Sequence, residues 1–246
     1  MTRHVTRMTL AEASFYTPEQ KAEIAAQYPE HERDARLDGV PQLGSGRIFP
    51  LAERAVAVPA FDVPAHWPAL GAIDFGWDHP TAAVKLVHDR DGDVVYVTHC
   101  YRVRRTTPVI HAAALKPWGK GLPFAWPHDG YQHDKQSGKP TAQAYREQGL
   151  AMLPEHARFA DLSTGVEAGL MAMLERMQTG RLKAFDHLRE WLDEFRLYHR
   201  KDGVVVKAHD DLMCATRYGI MCLRFAIARG GWKRAIVYPA NYMSIA

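Results

Sequence analysis

The sequence predicts a mixed α/β fold: a five-stranded sheet, antiparallel meander first and parallel strands after, flanked by helices. Three observations carry this. Residues 70–75, 81–88 and 94–103 are apolar, β-branched or aromatic runs joined by short turns, with Asp91-Gly92 as a hairpin signal. From about residue 108 helical periodicity alternates with two short strand candidates, 122–126 and 151–153. The first run can be central in the sheet. A crossover helix then sets 122–126 parallel beside it.

Taken in order, the chain starts differently. Thr17, Pro18 and Gln20 read as a helix start, with Thr17 as N-cap and Gln20 completing a capping box, and the helix runs to about Tyr28. The charged run 31–36 suggests a second short helix. Gly39, Pro41, Gly44 and Gly46, then Pro59, Pro64 and Pro68, mark an arm or linker over residues 1–68, with the compact domain over 69–246. Within that domain 108–115 and 139–148 suit helices, the second stopped by Gly149. Thr164 and Glu167 form a capping box, and Val166, Leu170, Leu174 and Met177 share one helical face. Thr179-Gly180 ends that helix. Leu188, Trp191, Leu192, Phe195 and Tyr198 make another stripe, Asp202-Gly203 turns the chain into 204–207, and a last helix carries Leu212, Ala215, Gly219, Cys222 and Ala226.

Composition narrows the class. The chain has 246 residues, 47% apolar and 24% charged, which is one large soluble domain or a domain with an arm. No run approaches the ~18 apolar residues of a membrane span, and the N-terminus lacks the apolar core of a secretory signal. Three cysteines, Cys100, Cys214 and Cys222, without CxxC spacing, argue against a disulfide scaffold or structural zinc, so a reducing cytoplasm is the expected location. A net charge of +3 permits nucleic-acid binding without demanding it.

Acidic residues fall where chemistry gathers in such a sheet. Asp74 ends the first strand, Asp129 follows the fourth, and Asp210-Asp211 precede the last helix. Sites of open sheets lie at the carboxyl ends of parallel neighbours, so Asp74 and Asp129 are expected side by side, with Asp210 or Asp211 brought to the same spot. Clustered carboxylates repel unless a cation neutralises them, and hard oxygen ligands suit Mg²⁺ or Mn²⁺. Two such ions ~4 Å apart can clamp the attacking and leaving oxygens of a phosphodiester. Neighbouring helix positions diverge by ~100°, so Asp210 and Asp211 would not bind one ion equally; both are kept as candidates, with Asp211 slightly favoured. Singly, each position also suits a turn or helix-cap role.

A second tier surrounds these residues. Asp78, His79, His128, His133, Asp134 and Lys135 lie close in sequence to Asp74 or Asp129, as outer partners of the ligands or phosphate contacts, or as solvated loop. Arg102, Arg104 and Arg105 form one basic cluster, and Arg200 and Lys201 another, either of which can grip phosphates without reading sequence. Arg217 and Arg224 share a face of the last helix. Trp191, Phe195 and Tyr198 are read as core.

Longer strings then carry a resemblance. Asp74-Phe-Gly-Trp-Asp-His-Pro-Thr-Ala-Ala, Trp126-Pro-His-Asp-Gly and His209-Asp-Asp-Leu-Met-Cys-Ala-Thr-Arg-Tyr resemble the nuclease domain of the large terminase subunit of tailed bacteriophages. So do Gly39-Val-Pro-Gln-Leu-Gly-Ser-Gly-Arg-Ile-Phe-Pro, Gly165-Val-Glu-Ala-Gly-Leu-Met and Glu194-Phe-Arg-Leu-Tyr-His-Arg-Lys-Asp-Gly. The resemblance implies an RNase H-like fold and endonucleolytic cutting of concatemeric double-stranded DNA, by two-metal hydrolysis with Mg²⁺ or Mn²⁺. Carried over, Asp74 and Asp129 are the first and second metal ligands, and Asp210 or Asp211 the third. Some relatives have an acidic residue where Cys214 stands. The implied partners are double-stranded DNA, the terminase ATPase domain, the small terminase subunit and the portal, in the cytoplasm of an infected bacterium, with the isolated domain monomeric and no membrane involved. No GxxxxGK[ST] loop occurs, so residues 1–68 read as the end of the ATPase region and its linker, and the chain as a nuclease portion without ATPase activity of its own. The alternatives are a resolvase- or transposase-like nuclease of the same fold, which would prefer branched DNA or defined ends, and a non-catalytic module docking on DNA or portal.

Overall fold

The computed structural model describes residues 9–28, 33, 36–39, 46–133 and 138–228. In chain order its strands are β1 (Ala57–Val58), β2 (Pro68–Asp74), β3 (Thr81–Asp89), β4 (Val94–Val103), β5 (Pro123–Ala125) and β6 (Ala151–Met152). β7 (Leu182–Phe185), β8 (Arg200–Lys201), β9 (Val204–Val205) and β10 (Ile227–Ala228) follow. The helices are α1 (Pro18–Ala26), α2 (Pro108–Leu115), α3 (Thr141–Glu147), α4 (Val166–Gln178), α5 (Arg189–Leu197) and α6 (Asp211–Met221).

β2 organises the sheet. Its first six residues are buried, so it needs neighbours on both edges and cover on both faces. β3 pairs antiparallel on one side and β5 parallel on the other. The strand order is β1-β7-β4-β3-β2-β5-β6, and β10 pairs antiparallel with the start of β2. All five expected strands are present, with the expected meander and the expected parallel partner for β2. β1, β7 and β10 are additional; two to four residues are too short to display a period. β8 and β9 form a separate hairpin turning at Asp202-Gly203.

Two expectations are corrected. The compact body does not begin near residue 68: Ile48, Phe49 and Val56 are core residues, the Phe49 ring lies 6.1 Å from Phe195, and β1 joins the sheet beside β7. These anchors are isolated between Gly and Pro, which hides them from any pattern. The Thr164–Glu167 capping box does not form either. Gly165 is the N-cap of α4, and Glu167 instead pairs with Arg200. The buried face of α4 is Gly169, Leu170, Met173 and Met177, while Val166 is exposed. The Thr17–Gln20 box at α1 is present, with both reciprocal bonds. The second helix expected over 31–36 falls largely outside the described residues.

α6 packs across β2 and β3 and is buried along nearly its whole length. α4 lies against it so closely that a Cβ on Gly169 would stand 2.5 Å from Cγ of Arg217. The first turn of α6 lies near the carboxyl end of β2, within electrostatic reach of Asp74.

Candidate active site

Asp74 is the last residue of β2, paired in register with Ala82 of β3. The loop that follows folds back tightly. Thr81 Oγ1 donates to the Gly76 carbonyl at 2.8 Å and accepts from the Gly76 amide at 3.2 Å. A Cβ on Gly76 would sit 2.4 Å from the His79 carbonyl oxygen, so only glycine fits this approach. Asp129 sits in a single 3₁₀ turn, His128–Tyr131, directly beyond β5. Because Ala72 and Ala125 are register partners in the parallel pair, both strands deliver their aspartates to one end of the sheet. His209, with φ of 56°, turns the chain sharply into α6, where Asp210 is the N-cap and Asp211 the first helical residue.

These carboxylates act on one another. Burial, then Asp129, Asp211 and Asp210, push the Asp74 carboxyl well above its ordinary value, against an opposing pull from Arg217. Burial raises Asp129, opposed by backbone amides and His128. Burial and Asp211 raise Asp210, opposed by Cys214 and His79. A group of acids that resist ionising together is an electrostatic deficit that a cation removes. Asp129 Oδ1 is moreover buried without a hydrogen-bond partner among the described residues. Among those residues no three His, Cys, Asp or Glu side chains already converge into a metal cage. The donor set nevertheless fits a hard divalent ion: carboxylate oxygens only, one of them unsatisfied, in excess of nearby positive charge.

Asp211 is set apart from Asp210. Arg102 Nη2 lies 3.0 Å from Asp211 Oδ2, and Arg102 Nε lies 2.9 Å from Glu194 Oε1. Glu194 Oε2 accepts from the Leu212 amide at 2.7 Å and the Met213 amide at 3.3 Å. Burial and Asp211 push the Glu194 carboxyl up to about 8, while Arg102 and the two amides pull it down. The Asp210 carboxylate accepts a long contact from Cys214 Sγ, at 3.8 Å. Arg217 is buried on the same helix, over the Tyr218 ring at 4.5 Å.

The second-tier residues are scattered. Asp78 is exposed, 3.9 Å from Arg105, and His79 is exposed within electrostatic reach of Asp210. His128 is exposed and packs its ring edge-on to His156 at 4.9 Å and to Tyr131 at 5.6 Å. His133 bridges to Pro140, and Asp134 and Lys135 lie outside the described residues. Arg102 does not join an outward basic cluster with Arg104 and Arg105; it turns inward to Asp211 and Glu194, while its two neighbours are exposed. Arg200 is held by both oxygens of Glu167, and Lys201 is exposed. A cleft of about 610 Å³ opens beside Asp129, walled by Phe75, Trp77, Thr107 and Tyr145. Sequence reasoning missed Glu194, although an acid three residues after Trp191, on the apolar side of a helix, is a legible signal.

Comparison with known proteins identifies the family of the chain. Residues 71–223 match the terminase RNaseH-like domain family, and residues 1–56 match the family described as terminase large subunit, T4likevirus-type, N-terminal. The large terminase subunit of Salmonella phage P22 is 44% identical over 223 residues, 90% of this chain and 45% of that protein. The chain thus spans about half the length of the curated relatives it matches. The solved nuclease domain of the P22 large terminase is 42% identical, covering 76% of this chain and 96% of that one, with a TM-score of 0.71. The solved large terminase of a thermophilic bacteriophage shares the fold at 16% identity, with a TM-score of 0.57 over 88% of this chain and 55% of that one. The chain belongs to the phage terminase large-subunit family and carries its RNaseH-like nuclease domain.

Proposed function

We propose that this chain is a divalent-metal-dependent endonuclease that hydrolyses phosphodiesters of concatemeric double-stranded DNA during phage genome packaging. The observation that carries this reading is that Asp129, Asp210 and Asp211, from two other elements, lie within electrostatic reach of Asp74, with Asp74, Asp129 and Asp210 each resisting ionisation.

Asp74, Asp129 and one of Asp210 and Asp211 would hold the ion or ions. Bound Mg²⁺ or Mn²⁺ supplies the positive charge that acidifies water and offsets charge building on the phosphate. The chain's own part is positional. Asp74 is fixed by the β2 ladder, Asp129 by its 3₁₀ turn and the α6 acids by the turn at His209. No side-chain nucleophile is needed: water attacks phosphorus, the P–O3′ bond breaks, and the 3′ oxygen takes up a proton. Exposed Arg104, Arg105 and Lys201 would hold the DNA backbone without reading sequence.

The match of residues 1–56 to an N-terminal terminase family supports reading the start of the chain as the end of an ATPase region. On this reading the partners are that ATPase, the small subunit and the portal, inside the infected bacterium. Among the described residues no helix is long and apolar enough to cross a membrane.

Supercoiled plasmid incubated with Mn²⁺, Mg²⁺ or EDTA, beside an Asp74→Ala variant, tests the proposal. Nicking and linearisation that require metal and vanish in the variant support it. A folded wild type that cleaves under no metal points to a docking module, and selective cutting of branched DNA to a resolvase-like enzyme.

A further inference from the structure

An aspartate at the N-cap of a helix can accept from the N2 or N3 amide through its own side chain. Asp210 occupies that position in α6 and its side chain makes no such bond. The amides of Leu212 and Met213, at N2 and N3, are taken instead by Glu194 Oε2, reaching over from α5. The other oxygen of Glu194 meets Arg102 from β4, and Arg102 holds Asp211. Glu194 is 2% exposed, so a buried acid has been placed where the local residue would have served. Such a group is costly to bury, and in some proteins a buried ionic group serves to fix one geometry.

We propose that Glu194 and Arg102 are positioning residues for the metal-binding acids of α6. By capping the helix from outside, Glu194 leaves the Asp210 carboxylate free to face Asp74. By binding both Glu194 and Asp211, Arg102 fixes the orientation of Asp211 and offsets its repulsion of the neighbouring acids. This rests on the metal-site reading above and deepens it.

The test is Mn²⁺ binding to the full chain, followed by electron paramagnetic resonance without DNA, with folding checked by thermal melting. Glu194→Ala opens the N2 and N3 amides, so Asp210 turns back to cap its own helix. Mn²⁺ affinity then falls about 10–100-fold, the usual cost of losing an outer partner of a metal ligand. Glu194→Gln recovers most of that loss, because its carbonyl still accepts from the same amides. Affinity in folded Glu194→Ala within twofold of wild type, or Glu194→Gln as weak as Glu194→Ala, overturns the proposal. If Glu194→Ala does not fold, Arg102→Met decides: a loss of about tenfold supports the proposal, and affinity within twofold of wild type overturns it. A wild-type chain that binds no Mn²⁺ overturns the metal site itself, and this inference with it, before any variant is compared.

Discussion

The guanidinium of Arg102 holds Asp211 at 3.0 Å, while the preceding residue, Asp210, makes no ion pair among the described residues and feels the exposed His79 only through its charge. Two adjacent aspartates therefore occupy different electrostatic settings, and their neutral variants should differ. Asp211→Asn weakens a partly buried ion pair and should cost about 1–3 kcal/mol of stability. Asp210→Asn removes a charge that its surroundings disfavour and should be neutral or stabilising. Thermal melts of both variants in EDTA check this; equal destabilisation would contradict it.

Asp74→Asn should separate stability from activity. The Asp74 carboxyl is held well above its ordinary value by burial and three neighbouring acids. Removing its charge should stabilise the metal-free protein by ~0.5–2 kcal/mol while abolishing metal-dependent plasmid nicking. A variant that melts lower than wild type would count against the electrostatic account.

Stability and cleavage should respond to pH in opposite directions. Asp74, Asp129 and Asp210 all have folded values raised above the ordinary aspartate value of 3.8. The folded state therefore holds protons that the unfolded chain has released. That stabilisation is complete below the unfolded value and is lost as pH rises through the folded values. In EDTA the melting temperature should fall across that window, whereas metal-dependent cleavage should rise as the ligands ionise. Added Mn²⁺ should flatten the stability profile, since binding only the folded state stabilises it by mass action. Differential scanning at stepped pH, with and without Mn²⁺, reads both.

Gly169 sets the approach of α4 to α6. A Cβ there would meet Cγ and Cδ of Arg217 at 2.5 and 2.6 Å. Gly169→Ala should cost about 1–3 kcal/mol by forcing this stem aside, measurable by urea denaturation. No loss would mean that the helices sit further apart.

The basic residues should not contribute equally to DNA affinity. Arg200 is engaged by Glu167, whereas Arg104 and Lys201 are exposed. Arg104→Ala and Lys201→Ala should each reduce the salt dependence of binding by about one unit of slope, and Arg200→Ala by less. Fluorescence anisotropy with duplex DNA across salt concentrations distinguishes them.

Much of this architecture is legible in the sequence because each long element carries its own signal. The meander follows from three runs and a hairpin turn, and the placement of Asp74 beside the chain after β5 follows from one parallel pairing. What escapes is non-local. β7 is four residues long and exists because β4 and β1 flank it. Phe49 is a single aromatic among Gly and Pro, buried by Phe195 from a distant helix. Arg102 reads as part of a surface cluster because its partners, Glu194 and Asp211, lie about a hundred residues away and no local pattern connects them. Thr164 and Glu167 show the converse error: a sound local motif yields to a tertiary partner, Arg200.

The central claim is that these acids share a metal site at the end of β2. Anomalous diffraction at the manganese edge, from crystals soaked in Mn²⁺, tests it most directly. The account predicts anomalous density bounded by Asp74 and Asp129 and reached by Asp210 or Asp211. Density that avoids Asp74, or its absence at Mn²⁺ concentrations that support plasmid cleavage, would contradict it.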